Sequence, residues 1–240
     1  MAPVQALIFD FGHVLCSWTP TKDLPVAPET LKLVMSSDIW HEYERGHLSQ
    51  EDCYSQVAVR FSIDHIHIAD AMTKARNSLI LHEETMNFIQ QIRESHPGGF
   101  MVYGMTNTPL PEQDIVRTIQ QKWPVFDHIY IAGTLGMRKP ELRFYQRVLA
   151  EIGLPGETVV FVDDQPDNIM AARSIGMHGI LFDNHGELCR QLHCLLGNPV
   201  ARGKSYLAAN AKVMESVTNK GETFRDNFAQ LLIFEATWNR

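Results

Sequence analysis

Short apolar runs of strand length recur along the chain, and helix-like stretches separate the later ones. Each run is rich in Val, Ile, Phe or Met, which is typical of buried strands. The stretches at 111–123, 141–152 and 168–175 carry helical patterns. Strands that alternate with helices indicate a doubly wound, Rossmann-like α/β domain, with a parallel sheet covered on both faces. The predicted strands are 4–9, 100–105, 128–132, 158–162 and 179–182.

A long insert separates the first predicted strand from the second. It contains about ninety residues without a good strand, which is too many for an ordinary crossover. Amphipathic patterns within it predict helices, and so the insert is predicted to be an α-helical cap. The patterns lie at 28–35, 37–43, 50–61 and 83–93.

The chain beyond the last strand carries two further helical patterns, separated by a polar stretch at 218–221. We therefore predict three units along the chain. They are a core domain built from 1–16 and 95–196, a helical cap at 17–94, and a C-terminal helical extension at 197–240.

Composition and charge narrow the class of protein. With 45% apolar and 20% charged residues, the sequence is that of a globular protein. The formal net charge is −7 and no five-residue stretch is mostly basic, so we do not expect a nucleic-acid partner. No apolar run approaches the ~18 residues of a membrane span. The expected partner is therefore a small molecule.

The first residues of the chain and the spacing of its cysteines indicate the cellular compartment of the protein. No basic region precedes the first apolar run and Asp10 lies within it, which is unlike a signal peptide. The four cysteines include no CxxC pair, and this is typical of reduced thiols. We therefore predict a cytoplasmic protein.

Polar side chains close several of the apolar runs. Ligands of open α/β sheets bind at the carboxyl ends of the strands, so these side chains are expected to converge. Three buried carboxylates repel one another unless a cation neutralises them, and oxygen ligands favour Mg²⁺. A lysine and a hydroxyl beside such an ion suit a phosphate group. The residues at the ends of runs are Asp10, Thr106, Asn107, Asp163 and Asp164, and Lys139, which precedes a predicted helix, joins them.

Four segments together resemble the motifs of the haloacid dehalogenase (HAD) superfamily. They read ALIFDFGHVL, FMVYGMTNT, LGMRKPELRFYQRVLAEIG and VVFVDDQPDNIMAARSIGM, in the order and approximate spacing of that superfamily. The resemblance covers roughly residues 4–185, and it implies a HAD core. The insert, including WHEYERGHLSQEDC, looks like the helical cap of the branch that contains sugar-phosphate phosphatases.

The resemblance implies a magnesium site. Asp10 and Asp164 would bind Mg²⁺, and the backbone carbonyl of Gly12 would supply a third ligand. Asp163 would contact the ion directly or support its ligands from behind. The implied cofactor is therefore Mg²⁺.

The resemblance also implies a reaction, that of a HAD-type phosphatase acting on phosphoric esters or anhydrides. Asp10 would attack phosphorus to form an aspartyl-phosphate, which water then hydrolyses. Lys139 would take part in catalysis, and with Thr106 and Asn107 it would hold the phosphoryl oxygens.

One position departs from the family pattern. Most phosphatases of the superfamily carry a second Asp two residues after the nucleophile, as general acid, and here that residue is Gly12. General acid catalysis is typically worth ~10² to 10⁴ in rate, and a phosphate leaving group needs it least. Diphosphates and acyl phosphates would therefore tolerate Gly12. His13 as a surrogate acid is the other hypothesis, against a structural role in the turn.

The C-terminal segment, 199–240, resembles the linker and opening helices that follow the HAD domain in fungal drimane-type sesquiterpene cyclases. This resemblance implies a fungal terpenoid pathway. It favours a terpenyl phosphate or diphosphate, of drimanyl or farnesyl type, as substrate.

Two alternatives stay open at the level of sequence. One is a phosphatase of the same branch that acts on a sugar phosphate or another small metabolite. The other is a non-catalytic HAD module that serves as a partner of another protein. The cap or the tail could also form the interface of a homodimer.

Overall fold

The computed structural model describes residues 2–18, 23–95 and 99–197. Its strands, in chain order, are β1 (Ala6–Phe9), β2 (Cys16–Trp18), β3 (Leu79–Leu81), β4 (Met101–Thr106), β5 (His128–Ile131), β6 (Val159–Asp163) and β7 (His178–Leu181). Five of them form a parallel sheet in the order β5-β4-β1-β6-β7, and β2 pairs with β3 in a separate antiparallel ribbon. The predicted doubly wound α/β fold class is confirmed.

Helices cover both faces of this sheet. Alternate residues of each strand point to opposite faces, so apolar side chains of one strand can pack against helices on both sides. The helices are α1 (Pro28–Met35), α2 (Asp38–Glu44), α3 (Gln50–Phe61), α4 (His65–Asn77), α5 (Glu83–Ser95), α6 (Gln113–Lys122), α7 (Ala132–Leu135), α8 (Leu142–Ile152), α9 (Pro166–Ser174) and α10 (His185–Leu195). Leu7 and Phe9 of β1 join an apolar cluster with α5, α6 and α10, whereas Ala6 and Ile8 join a second cluster with α8 and α9. Both faces of β1 are therefore buried.

The register of the sheet brings the strand ends together. Phe9, at the end of β1, lies opposite Gly104 of β4 and Val162 of β6. Because all three strands run the same way, the residues that follow them emerge at one edge. Asp10 therefore stands next to Asp163, as the polar strand ends of the sequence predict.

Helices α1 to α4 form a cap with a core of its own. An apolar cluster that includes Tyr43, Tyr54 and Ile68 is separate from the two clusters on the sheet. Ser49 caps α3, because its hydroxyl accepts a hydrogen bond from the Asp52 amide at 3.0 Å. The cap is thus a packed helical unit above the carboxyl edge of the sheet.

The packing differs from the predicted cap, 17–94, at its C-terminal end. Met86, Ile89 and Ile92 of α5 join the apolar cluster on the sheet rather than that of the cap. Helix α5 therefore packs as part of the core, since its apolar stripe faces the strands. Helix α4, whose N-cap is Asp64, was not predicted from the sequence pattern.

The predicted C-terminal helices fall within 198–240, outside the described residues. Within the part of the chain that the structure does describe, no helix combines the length and the apolar composition needed to cross a membrane.

Gly104 gives a test of this packing. A Cβ at that position would lie 2.4 Å from Cε2 of Phe11 and 3.0 Å from Cγ2 of Ile129. We expect Gly104→Ala to lower the free energy of unfolding by about 1–3 kcal/mol, because the core beside Asp10 would be overpacked. Urea denaturation measures this change.

The control is Gly186→Ala, since Gly186 lies in α10 and a Cβ there would meet only Oδ1 of Asn184, at 3.5 Å. Alanine in a helix is favoured over glycine by about 0.5–1 kcal/mol, so this variant should be at least as stable as the parent. Equal stability of the two variants would contradict the packing described for Gly104.

Candidate active site

The predicted site residues meet at the carboxyl edge of the sheet. Asp10 follows β1, Asp163 ends β6 and Asp164 comes next, and one carboxylate oxygen from each lies within 4.8 Å of the others. Lys139, from the loop before α8, reaches the same point. The structure thus assembles four of the predicted residues into one cluster.

Lys139 is the centre of this cluster. Its Nζ lies 2.6 Å from Oδ1 of Asp10 and 2.7 Å from Oδ2 of Asp163, and the side chain is 1% exposed. Burial alone lowers the pKa of a lysine, but the charges of Asp10 and Asp163 outweigh it and raise the pKa of Lys139. Lys139 is therefore a permanent cation that joins the two strand ends.

Asp163 is held entirely by protein groups. Besides Lys139, Nδ2 of Asn168 lies 2.9 and 3.0 Å from its two oxygens, and the amide of Gln165 donates to Oδ1 at 2.8 Å. The residue is fully buried. These contacts suit a carboxylate that orients Lys139. Asn168 was not among the predicted site residues, although it lies in the fourth HAD-like segment, five residues after Asp163.

Asp10 and Asp164 are the two carboxyl groups of the cluster that the hydrogen bonds around Asp163 do not include. Burial first, and then the charge of Asp163, raises the pKa of Asp10 to about 7 against the opposing effect of Lys139. Burial, then Asp163 and Asp10, raises the pKa of Asp164 well above its ordinary value. Three ionised carboxylates and one lysine would leave a net charge of −2. A divalent cation would balance it, and so the donor set fits Mg²⁺.

Thr106 and Asn107 lie beside Lys139 and line the same cavity. The amide group of Asn107 is engaged with the Lys139 backbone: Oδ1 accepts from its amide at 2.8 Å and Nδ2 donates to its carbonyl at 3.1 Å. The Thr106 and Thr108 hydroxyls share a hydrogen bond of 2.8 Å. Asn107 therefore holds the lysine loop in place, and its predicted contact with phosphate stays a prediction.

The Gly12–His13 turn borders the cluster. A Cβ on Gly12 would lie 3.5 Å from the Trp18 ring, and the His13 ring centroid lies 5.2 Å from that of Trp18. Burial first, and then the charge of His82, lowers the pKa of His13 to about 4. The imidazole is therefore neutral near pH 7, and a neutral imidazole is a poor proton donor. The role of His13 as a surrogate acid stays a prediction.

A cavity of about 920 Å³ opens above the cluster, between the sheet edge and the cap. Asp10, Lys139 and Asp164 lie at its polar end. Most of the wall is apolar, with cap residues that include Trp18, Leu31, Leu33, Met35, Trp40 and Phe61. The site can therefore place an anionic head group at the cluster and an apolar tail under the cap.

The fold and this site define a hydrolase of the HAD class. The sequence profile of the haloacid dehalogenase-like hydrolases matches residues 4–176, and the chain belongs to this family. The predicted enzyme class, a HAD-type phosphatase, is thereby confirmed. Residues 200–240 match the profile of the sesquiterpene cyclase astC-like C-terminal domain, which confirms the resemblance noted for the tail.

Two curated proteins are similar over most of the chain. Drimenol cyclase drtB of Aspergillus calidoustus is 42% identical over 98% of the chain, and the chain spans only 44% of its length. Sesquiterpene phosphatase astK of Aspergillus oryzae is 33% identical, over 80% of the chain and 97% of its own length. A HAD family enzyme of Bacteroides thetaiotaomicron, solved in a magnesium complex, shares the fold with a TM-score of 0.56 at 19% identity, over 73% of this chain and 91% of that one.

Asn168 provides a test of the network behind Lys139. We expect Asn168→Ala to lower kcat for p-nitrophenyl phosphate by about 10- to 100-fold, because Asp163 would no longer fix the lysine ammonium beside Asp10. Phosphate release at saturating substrate measures the change.

The matched control is Asn184→Ala. Asn184 caps α10 away from the site, so its loss should cost about 1 kcal/mol of stability and leave kcat near that of the parent. Equal kcat values for the two variants would contradict the role given to Asn168.

Proposed function

We propose that the protein is a Mg²⁺-dependent phosphatase that works through an aspartyl-phosphate on Asp10 and acts on a terpenyl phosphate or diphosphate. The observation that carries this proposal is the juxtaposition of a carboxylate–lysine cluster with a large apolar cavity. The cluster would bind the phosphate group of the substrate, and the apolar cavity would bind its terpenyl tail.

Asp10 and Asp164 would hold the metal ion, with the Gly12 carbonyl as a further ligand. Asp163 supports the site through Lys139, since both of its oxygens already accept hydrogen bonds from protein groups. When bound, Mg²⁺ would supply positive charge that reduces the repulsion between the carboxylates and the phosphoryl oxygens.

Asp10 would act as the nucleophile. Its Oδ1 accepts from the Phe11 amide at 2.7 Å and from Lys139, so the carboxylate is fixed and Oδ2 is left for attack on phosphorus. Attack forms the Asp10–phosphorus bond, and the bond to the leaving oxygen breaks. Water then attacks the same phosphorus and releases orthophosphate. Lys139 and Thr106 would hold the phosphoryl oxygens through both steps.

The wall of the cavity and the relatives support the proposed substrate class. A volume of about 920 Å³ lies near the upper end of the ~300–1,000 Å³ that small-molecule sites span. Burying an apolar tail there would contribute about 25 cal/mol per Å² of surface removed from water. Two similar proteins are named a drimenol cyclase and a sesquiterpene phosphatase, which supports a terpenyl tail of drimanyl or farnesyl type.

The nucleophile is tested by Asp10→Asn. We expect this variant to release no phosphate from any substrate, because an amide cannot form the acyl-phosphate. Chelation of divalent ions with EDTA should also stop the parent enzyme, and added Mg²⁺ should restore it. Circular dichroism checks that the variant is folded. Turnover by Asp10→Asn at the parent rate, or full activity in EDTA, would refute the mechanism.

The substrate class is tested by Leu33→Asp, assayed on farnesyl diphosphate, glucose 6-phosphate and acetyl phosphate. Leu33 lines the cavity from the cap, and a carboxylate there would repel an apolar tail. We expect KM for the farnesyl substrate to rise about 10-fold or more, as the loss of roughly 1.4 kcal/mol of binding implies, with little change for acetyl phosphate.

Val59→Asp is the matched control, since Val59 is 83% exposed on the cap and lies outside this cavity. It should leave all three KM values unchanged. Preference of the parent enzyme for glucose 6-phosphate would instead favour a sugar-phosphate phosphatase. Absence of activity on all three substrates would favour a non-catalytic module.

A further inference from the structure

Among the residues that the structure describes, three ion pairs between arginine and glutamate join the cap to the core. Arg138 of the core meets Glu44 of α2, and Arg76 of α4 meets Glu112 of the core. Both of these pairs line the cavity above Asp10. The third pair joins Arg45 to Glu141 and lies outside the cavity lining.

The two ion pairs in the cavity differ in which nitrogen atoms of the guanidinium donate hydrogen bonds. Nη1 of Arg76 donates to Oε1 of Glu112 at 3.1 Å, and its Nη2 donates to Oγ1 of Thr73 at 3.0 Å. Both terminal nitrogens of Arg76 are therefore engaged. Arg138 donates to Glu44 through Nε. Within the described ranges, its Nη1 and Nη2 have no hydrogen-bond acceptor.

The place of Arg138 makes this difference relevant to the substrate. It directly precedes Lys139, whose ammonium marks the phosphoryl-binding end of the cavity. Glu44 is 6% exposed and holds one edge of the guanidinium. The other edge keeps two donors in a planar fork, and such a fork matches the oxygens of a phosphate group.

We propose that Arg138 binds the second phosphoryl group of a terpenyl diphosphate, the one that stays on the alcohol when the terminal phosphoryl group is transferred to Asp10. This inference rests on the proposed function and narrows its substrate to the diphosphate. Lys139 and Arg138, adjacent in the chain, thus serve the transferred and the leaving phosphoryl groups in turn.

The assignment also explains how the reaction proceeds with glycine at position 12. Oδ2 of Asp10 bonds to the terminal phosphorus, the anhydride bond breaks, and the bridging oxygen departs with its electron pair on the inner phosphoryl group. That group needs no proton to leave, and Arg138 stabilises the charge it gains. Water then cleaves the aspartyl-phosphate and its proton passes to solvent. The products are orthophosphate and the terpenyl monophosphate.

The test compares farnesyl diphosphate with farnesyl monophosphate on the full-length chain with Mg²⁺. Arg138→Gln should lower kcat/KM for the diphosphate by about 100-fold or more, the worth of two charge-assisted hydrogen bonds, and that for the monophosphate by less than about 3-fold. Arg138→Lys keeps the charge without the fork and should fall between Arg138→Gln and the parent for the diphosphate.

Arg45→Gln is the matched control, because it breaks a cap–core ion pair without touching the cavity. It should affect both substrates alike and by little. Equal losses on the two substrates in Arg138→Gln and Arg138→Lys, or no loss in either, would overturn the inference.

The parent enzyme separates this inference from the proposed function. A parent that hydrolyses the monophosphate and not the diphosphate would overturn the role of Arg138 while leaving the phosphatase in place. A parent inactive on both substrates and on acetyl phosphate would overturn the proposed function, and this inference with it.

Discussion

The clustering of three carboxylates beside one buried lysine, which pairs with two of them, is the constraint on which the site depends. Neighbouring carboxylates that are shielded from water raise one another's pKa. Lys139 opposes this rise, because its ammonium lies between Asp10 and Asp163. Much of the surrounding structure keeps this arrangement in place. Asn168 fixes Asp163, and Asn107 fixes the backbone of the lysine loop. The negative charge of Asp10 and Asp164 that Lys139 does not balance is what a divalent cation would neutralise.

The cap covers the sheet edge that carries the carboxylate–lysine cluster and forms part of the cavity wall above it. Because α1 to α4 have an apolar cluster of their own, the cap can present side chains to the cavity without disturbing the core of the sheet. Two ion pairs of the described residues join the cap to the core along the cavity, and one of them, between Arg138 and Glu44, brings the guanidinium of Arg138 to the cavity wall. Lys139 and Arg138 thus come from the core, whereas the apolar wall is shared between cap residues such as Trp40 and core residues such as Ile119.

Much of the fold could be predicted from sequence, and the exceptions have physical causes. The five sheet strands were predicted because buried parallel strands are apolar throughout. The ribbon of β2 and β3 was missed, since three-residue strands leave too short a pattern. Helix α5 was placed in the cap because amphipathicity shows that a helix has a buried face and does not show what covers it.

The sequence by itself determined which chemical groups stand at the carboxyl edge of the sheet. A strand end is a local feature, and parallel strands bring their ends to one edge, so Asp10 and Asp163 could be grouped from their places along the chain. Only the tertiary structure decided which atoms of those groups are engaged. Glu44 contacts Arg138 across 94 residues of chain, and burial makes His13 a neutral imidazole. Such states depend on neighbours from distant parts of the chain, which no local pattern encodes.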